Sequence, residues 1–183
     1  MKLKLETAPS ALPVTLDELK THLGVTDTAR NTLITGYLNT AIEHIETMTG
    51  RRLITQTWEL VLDKAFLSVK LPYGQFQSID SIVYVDSDEG SNTVDSIDYY
   101  TDGVGTDEGG VIMLDTFSFP TLYDYEPITV TFVCGYGDAA TAVPESLQSA
   151  IMLFAENLFL GDHSNKDTIK NLYTPYKIDW GFE

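Results

Sequence analysis

The chain has 183 residues, with 11 Lys and Arg against 27 Asp and Glu, which gives a formal net charge of −16. Hydrophobic residues make up 43% of it, a composition typical of globular rather than disordered proteins. A lone cysteine, Cys134, excludes an intrachain disulfide and a Cys-rich zinc site, and no apolar run approaches the roughly 18 residues of a membrane helix. These features predict one soluble domain, residues 1–183, made in a reducing cytoplasm.

The charge is unevenly distributed along the chain. No Lys or Arg occurs between Lys70 and Lys166, and this stretch is rich in Asp and Glu. Nucleic-acid binding depends on cations that neutralise phosphates, so the composition disfavours tight binding of DNA or RNA. The simplest interpretation is that the charge keeps the protein soluble; an acidic surface could also let DNA pass without adhering to it.

The first segments with clear helical signals cover residues 14–50, after an extended stretch that contains Pro9 and Pro13. Thr15, with Glu18 three residues later, forms a capping-box pattern that predicts a helix over residues 16–23, ending near Gly24. A second helix, capped by Thr26 or Asp27, is predicted from an apolar stripe with spacings of three and four residues. Gly50 marks its end.

A β-rich subdomain is predicted over residues 53–136. The segments 55–62, 76–85 and 128–133 are rich in β-branched and aromatic residues, as is typical of strands, and 67–71 is a further candidate. Shorter strands are expected near residues 93–94, 99–101 and 110–114, with an acidic turn at 86–90.

A third helix is predicted over residues 144–161, because Pro144 suits a helix start and Gly161 a helix end. Residues 162–183 are polar with an aromatic ending, and we interpret them as an extended C-terminal arm that could be removed without loss of the fold. The predicted class is therefore α+β, with a helical core built from both chain ends and an inserted antiparallel β subdomain.

The sequence contains no pattern that indicates a catalytic site, a cofactor site or a metal site. The three histidines, His22, His44 and His163, belong to no metal-binding motif, and no nucleophile elbow or phosphate loop occurs. Residues 86–90 begin like a calcium loop but place glycine fifth instead of sixth, so a solvated hairpin is favoured. A small calcium-binding or other binding protein, using the acidic loops of residues 86–108, remains the alternative.

Four segments together carry a family resemblance, namely residues 14–23, 45–58, 130–138 and 172–177. The most specific is the string TGRRLITQTW at 49–58. In this order the segments resemble the head-tail connector (adaptor) proteins of tailed bacteriophages, in the longer form with a β insertion. Residues 86–127 match nothing in the pattern.

The resemblance implies a non-enzymatic virion protein at the head-tail interface, made in the host bacterial cytoplasm. It implies a ring of about twelve copies beneath the portal protein, which extends the DNA channel without specific DNA binding and docks a tail-side stopper or tail-completion protein. No cofactor and no membrane contact are implied. The portal-contacting candidates in the arm are Tyr173, Pro175, Tyr176, Lys177, Trp180 and Phe182. The channel-facing acidic candidates are Asp86, Asp88, Glu89, Asp107 and Glu108.

Overall fold

The computed structural model describes residues 1–178 and combines α-helices with antiparallel sheets, so the predicted α+β class is confirmed. The contacts within the chain define two compact units. One, the β unit, contains residues 1–9 and 55–135; the other, the helical unit, contains residues 10–54 and continues from residue 136. No helix among the described residues combines the length and the apolarity needed to cross a membrane.

The β unit contains two antiparallel sheets. A five-stranded sheet has the order β1-β2-β8-β4-β5, and a three-stranded sheet has the order β3-β7-β6. The strands are β1 (Lys2–Thr7), β2 (Gln56–Leu62), β3 (Ser68–Lys70), β4 (Phe76–Val85), β5 (Ser91–Thr93), β6 (Tyr99–Asp102), β7 (Gly110–Met113) and β8 (Ile128–Cys134). The predicted strands are therefore present, and β1 adds an N-terminal edge strand that pairs with β2.

The core of the β unit forms where β2, β8 and β4 lie side by side. Phe132 of β8 pairs with Trp58 on one side and Ile79 on the other, and its side chain is fully buried. Phe76 and Ile82 of β4 are also fully buried. Trp58 itself is half-buried, and its indole N–H donates to Oε1 of Gln56 at 3.1 Å.

The described part of the helical unit contains four α-helices, α1 (Leu16–Leu23), α2 (Asn31–Thr49), α3 (Glu145–Leu160) and α4 (Lys166–Tyr173). The predicted capping box is confirmed: the Glu18 amide donates to Oγ1 of Thr15 at 3.2 Å, and the Thr15 amide donates to Oε2 of Glu18 at 2.7 Å. The bonds that the Thr15 amide and the Thr15 hydroxyl donate to the Glu18 carboxylate lower the pKa of Glu18. Gly50 and Gly161 end α2 and α3 in the left-handed conformation, as predicted.

The start of α2 differs from the prediction. The helix begins at Asn31 after Arg30, which makes no side-chain capping bond, and Thr26 and Asp27 lie outside it. Its predicted apolar stripe is nevertheless the buried face: Ile34, Leu38 and Ile45 are fully buried against α3. Burial of this stripe therefore holds the helix in place without a side-chain cap.

The prediction of an extended arm over residues 162–183 is wrong for residues 166–176. Residues Lys166–Tyr173 form α4, and Thr174–Tyr176 continue as a 3₁₀ turn. Ile169, Leu172 and Tyr173 have helical spacing, and Ile169 and Tyr173 are buried in the core of the helical unit. The polar composition of this segment concealed a narrow apolar face that only the packing against α3 makes stable.

Candidate functional site

The C-terminal segment is attached to the end of α2 by one backbone hydrogen bond and by the side chain of Arg51. The amide of Ile178 donates to the carbonyl of Thr49 at 2.9 Å. Arg51 is 4% exposed, and its Nε donates to the carbonyl of Tyr176. The Arg51 guanidinium also lies 5.7 Å from the Tyr136 ring centre and 5.9 Å from that of Tyr176. Residues 173–178 therefore pack on their own helical unit.

This packing divides the four described portal-contacting candidates into two groups. Tyr173 is buried and Tyr176 is partly buried, so both contribute to the helical unit. Pro175 and Lys177 are exposed. Trp180 and Phe182 lie outside the described residues.

Glu46 and Arg52 explain part of the motif at residues 49–58. The Glu46 carboxylate accepts from Nη1 of Arg52 at 2.9 Å and from the backbone amide of Leu53 at 2.9 Å. Burial of this carboxylate raises the pKa of Glu46, although its hydrogen bonds oppose the change. Gly50, Arg51 and Arg52 thus fix the path by which the chain leaves α2.

Asp86 is a structural residue of the turn between β4 and β5. Its Oδ1 accepts from the amides of Asp88 at 3.0 Å and Gly90 at 2.9 Å, and its Oδ2 accepts from Nδ2 of Asn92 at 2.9 Å. The bond from the Gly90 amide is the main reason that the pKa of Asp86 lies below its ordinary value. Asp88 and Glu89 are exposed on the same turn.

The remaining acidic candidates lie in the hairpin between β6 and β7. Asp107 is half-buried and accepts from Nε2 of Gln75 at 3.2 Å, whereas Glu108 is exposed. The five acids are therefore split between hairpins of different sheets. Within residues 1–178 no three His, Cys, Asp or Glu side chains are grouped so as to hold a metal ion.

One cleft stands out in the helical unit. It lies between α2, α3 and α4, has a volume of about 470 Å³, and is floored by Met48, Phe154, Leu158, Ile169 and Tyr173. His44 also lines it, and its ring stacks on Phe154 with the ring centres 4.2 Å apart. Burial lowers the pKa of His44. We refer to this recess as the helical cleft; sequence reasoning missed it because it depends on α4.

Comparison with known proteins supports the resemblance found in the sequence. Residues 13–89 match the family of phage gp6-like head-tail connector proteins. No curated protein sequence matches the chain significantly.

Solved structures match nearly the whole chain. A chain from the neck of an empty gene transfer agent (GTA) particle, computed with C6 symmetry, is 19% identical with a TM-score of 0.81, and the match covers 98% of this chain and 97% of that one. A chain from the virion of a native GTA particle gives 20% identity and a TM-score of 0.81 over the same shares. A chain from the neck of a native GTA particle, computed with C12 symmetry, gives 22% identity and a TM-score of 0.78 over the same shares.

These likenesses are at the level of the fold, and they include the segment 86–127 that the sequence pattern could not place. The family match covers α1, α2 and the first strands of the inserted region. The resemblance to the head-tail connector proteins of bacteriophages is therefore confirmed by the family match over residues 13–89.

Proposed function

We propose that the chain is a structural virion protein, a head-tail connector that forms a ring at the neck of a phage or phage-like particle. The observation that carries the proposal is the connector-family match over residues 13–89, together with a fold shared with neck chains over 98% of the sequence. The finer features of the proposal are a ring of about twelve copies, attachment beneath the portal protein, and docking of a tail-side stopper or tail-completion protein.

The charge distribution is compatible with a DNA channel. The stretch without Lys or Arg between Lys70 and Lys166 contains most of the β unit, so its surface would repel DNA. Asp88, Glu89 and Glu108 are exposed in hairpin turns and are the best placed of the acidic candidates to face the channel. Asp86 accepts hydrogen bonds within its own turn, and Asp107 accepts one from Gln75, so these two acids are less available at that surface.

We narrow the proposed portal contact to the exposed part of the C-terminal segment. Pro175 and Lys177 are accessible, and Trp180 and Phe182 follow them in sequence. Aromatic side chains are common anchors at protein interfaces. Tyr173 and Tyr176 have a different role, because both pack on the helical unit.

The direct test is binding to the portal protein encoded nearest to this gene. The full chain, a chain stopped at Ile178, and the double variant P175A/K177A would each be mixed with assembled portal and imaged. We expect a ring on the portal with the full chain and weaker attachment with both variants. Equal attachment of all three would support the connector role and contradict the proposed contact between the C-terminal segment and the portal. Absence of binding by the full chain to a correctly assembled portal would contradict the proposed portal attachment.

A further inference from the structure

The five-stranded sheet of the β unit has an open edge at each end. The outer side of β1 has no strand partner among residues 1–178, and neither has the outer side of β5. All six residues of β1 are exposed, as are Ser91 and Thr93 of β5. The unpaired N–H and C=O groups of an exposed edge strand are a template for pairing with another chain. Both edges are therefore candidate surfaces for such a contact.

A ring of identical copies needs two different surfaces on each copy. Contacts in a cyclic ring of more than two copies are heterologous, so one surface of each copy binds the other surface of the next copy. The two edges meet this requirement, because four antiparallel pairings separate β1 from β5 and the two strands run in the same direction. Rotation about a ring axis keeps the sense of a strand along that axis, so β5 of one copy and β1 of the next can pair in parallel.

The two edges also lie at the same level of the sheet. One row of paired residues crosses the sheet from Lys2 through Val61, Thr129 and Val83 to Thr93. Residues that are opposite each other in neighbouring strands project from the same face, so Lys2 and Thr93 face the same side. A neighbouring copy can therefore bring its Lys2 beside Thr93 without displacement along the strands.

Charge favours contact between unlike edges over contact between like edges. Lys2 and Lys4 are two of the four Lys or Arg residues in the β unit, and their side chains are 62% and 70% exposed. Two β1 strands side by side would bring these cations together, which is unfavourable. Asp95 lies two residues beyond Thr93, is exposed and pairs with no cation among the described residues. If Lys2 lies beside Thr93 in a parallel pair, Lys4 lies beside Asp95.

Exposed apolar side chains lie near both edges. Leu3 and Leu5 are 36% and 42% exposed. Leu3 is paired with the fully buried Leu60, so the two leucines lie at the rim of the core of the β unit. Ile97, four residues after β5, is 75% exposed. Contact between the edges would remove part of this apolar surface from water, which is favourable.

We propose that β1 of one copy pairs in parallel with β5 of the next copy in the ring. Residues 2–5 of one copy meet residues 91–95 of the other, Lys4 faces Asp95, and Leu3 and Leu5 are covered. This inference rests on the proposed connector role, because only a ring gives every copy two neighbours.

Cysteine cross-linking in purified particles tests the contact. The variant K2C/T93C places thiols at the paired positions, and the single natural thiol, Cys134, is buried. Adjacent strands lie about 4.8 Å apart, within the Cα separation of a disulfide, whereas four strand spacings, about 19 Å, separate the two cysteines of one copy. We expect a ladder of multimers on a non-reducing gel after oxidation. The single variants K2C and T93C should remain monomeric, as should the control K2C/T116C, whose second thiol is exposed away from both edges.

The outcomes separate this contact from the connector role. Particles that contain K2C/T93C but give no ladder would overturn the contact and leave the connector role standing. Dimers formed by either single variant would overturn it in favour of pairing between like edges. Absence of the wild-type chain from particles would contradict the connector role, and this inference with it.

An exchange of charges tests the pair of Lys4 and Asp95. In the K2C/T93C background, D95K should lower the yield of cross-linked multimers about two- to fivefold, whereas D102K, the same change at another exposed acid of the β unit, should not. The exchange K4E/D95K should restore the yield, which it would not do if D95K only disturbed the local fold. Failure of the exchange to restore the yield would overturn the pairing of Lys4 with Asp95.

The same charge variants without added cysteines give a second readout. Quantitative mass spectrometry would count the copies of the chain retained in each purified particle, and far-UV circular dichroism would check that each variant is folded. We expect fewer copies with D95K, and wild-type numbers with D102K and K4E/D95K. Equal numbers in D95K and wild-type particles, together with no loss of cross-linking, would overturn the contribution of Asp95 to the contact.

Discussion

At the scale of single residues, Glu46 is a largely buried carboxylate whose partners are Arg52 and the Leu53 amide. Because burial raises its pKa in the folded state, the folded protein holds this proton more tightly than the unfolded chain does. The resulting stabilisation is fully present below the unfolded pKa and is lost as the pH rises through the folded pKa. The contribution of Glu46 to stability therefore changes with pH in the opposite direction to those of Glu18 and Asp86, because the pKa values of these two carboxylates are lowered.

The substitution Glu46→Gln isolates this contribution. We expect the free energy of unfolding of the wild type, minus that of the variant, to be larger at pH 4 than at pH 7. Urea unfolding at a series of pH values measures the difference. A difference that grows with pH would mean that pairing with Arg52 outweighs burial and that the pKa of Glu46 is lowered.

Two glycines provide a matched test of the packing. A Cβ atom at Gly109 would lie 2.3 Å from Cβ of the fully buried Phe76, whereas one at Gly36, in the second turn of α2, would have no neighbour within 4 Å. We expect Gly109→Ala to destabilise the protein by about 1–3 kcal/mol and Gly36→Ala to stabilise it by about 0.5–1 kcal/mol. Chemical denaturation of both variants is the measurement. Similar effects at the two sites would show that the turn at Gly109 is not closely packed.

At the scale of elements, α4 belongs to the helical unit. Ile169 is 4% exposed and Tyr173 is 8% exposed, and Ile178 is bonded to the end of α2. Removing α4 would therefore expose the surface of α3 against which it packs. This assignment replaces the removable arm expected from the sequence.

Two truncations test the role of α4. A chain stopped at Gly161 should lose at least about 4 kcal/mol of stability, because truncating a single buried Ile or aromatic side chain already costs about 2–5 kcal/mol. A chain stopped at Ile178 keeps α4 and should remain folded, with its thermal transition close to that of the full chain. If the chain stopped at Gly161 were as stable as the full chain, α4 would be an appendage.

The elements that could be predicted from the sequence are those with local signals. The bond between Thr15 and Glu18 and the left-handed glycines at the ends of α2 and α3 depend only on neighbouring residues. The pairing of β1 with β2 joins residues at least 50 positions apart, and the helical cleft combines α2, α3 and α4. Such features depend on the packing of distant segments, which residue spacing alone does not encode.

At the scale of the whole molecule, the net charge is −16, and no Lys or Arg occurs between Lys70 and Lys166. These two features dominate the electrostatics. If the exposed acids of the β unit face a DNA channel, their repulsion keeps the DNA from adhering. Repulsion of this kind acts on the passage of DNA and leaves folding nearly unaffected, since exposed charges contribute little to stability.

The triple variant D88K/E89K/E108K tests the proposed channel surface. It should fold normally, with a loss of stability of no more than about 1 kcal/mol, and should reduce the DNA delivered per particle. The control variant E6K/E43K/D124K makes the same change of net charge at other exposed acids and should deliver DNA normally. Equal delivery by the two variants would indicate that residues 88, 89 and 108 do not face the channel.

The most direct test of the connector proposal is to locate this chain in assembled particles. Cryo-electron microscopy of the neck, in particles from the strain that encodes the chain, would be combined with a deletion of the gene. The account predicts a ring of copies with this fold between head and tail, and separate heads and tails when the gene is deleted. Joined particles in the deletion strain, with no copy of this fold at the neck of the wild type, would contradict it.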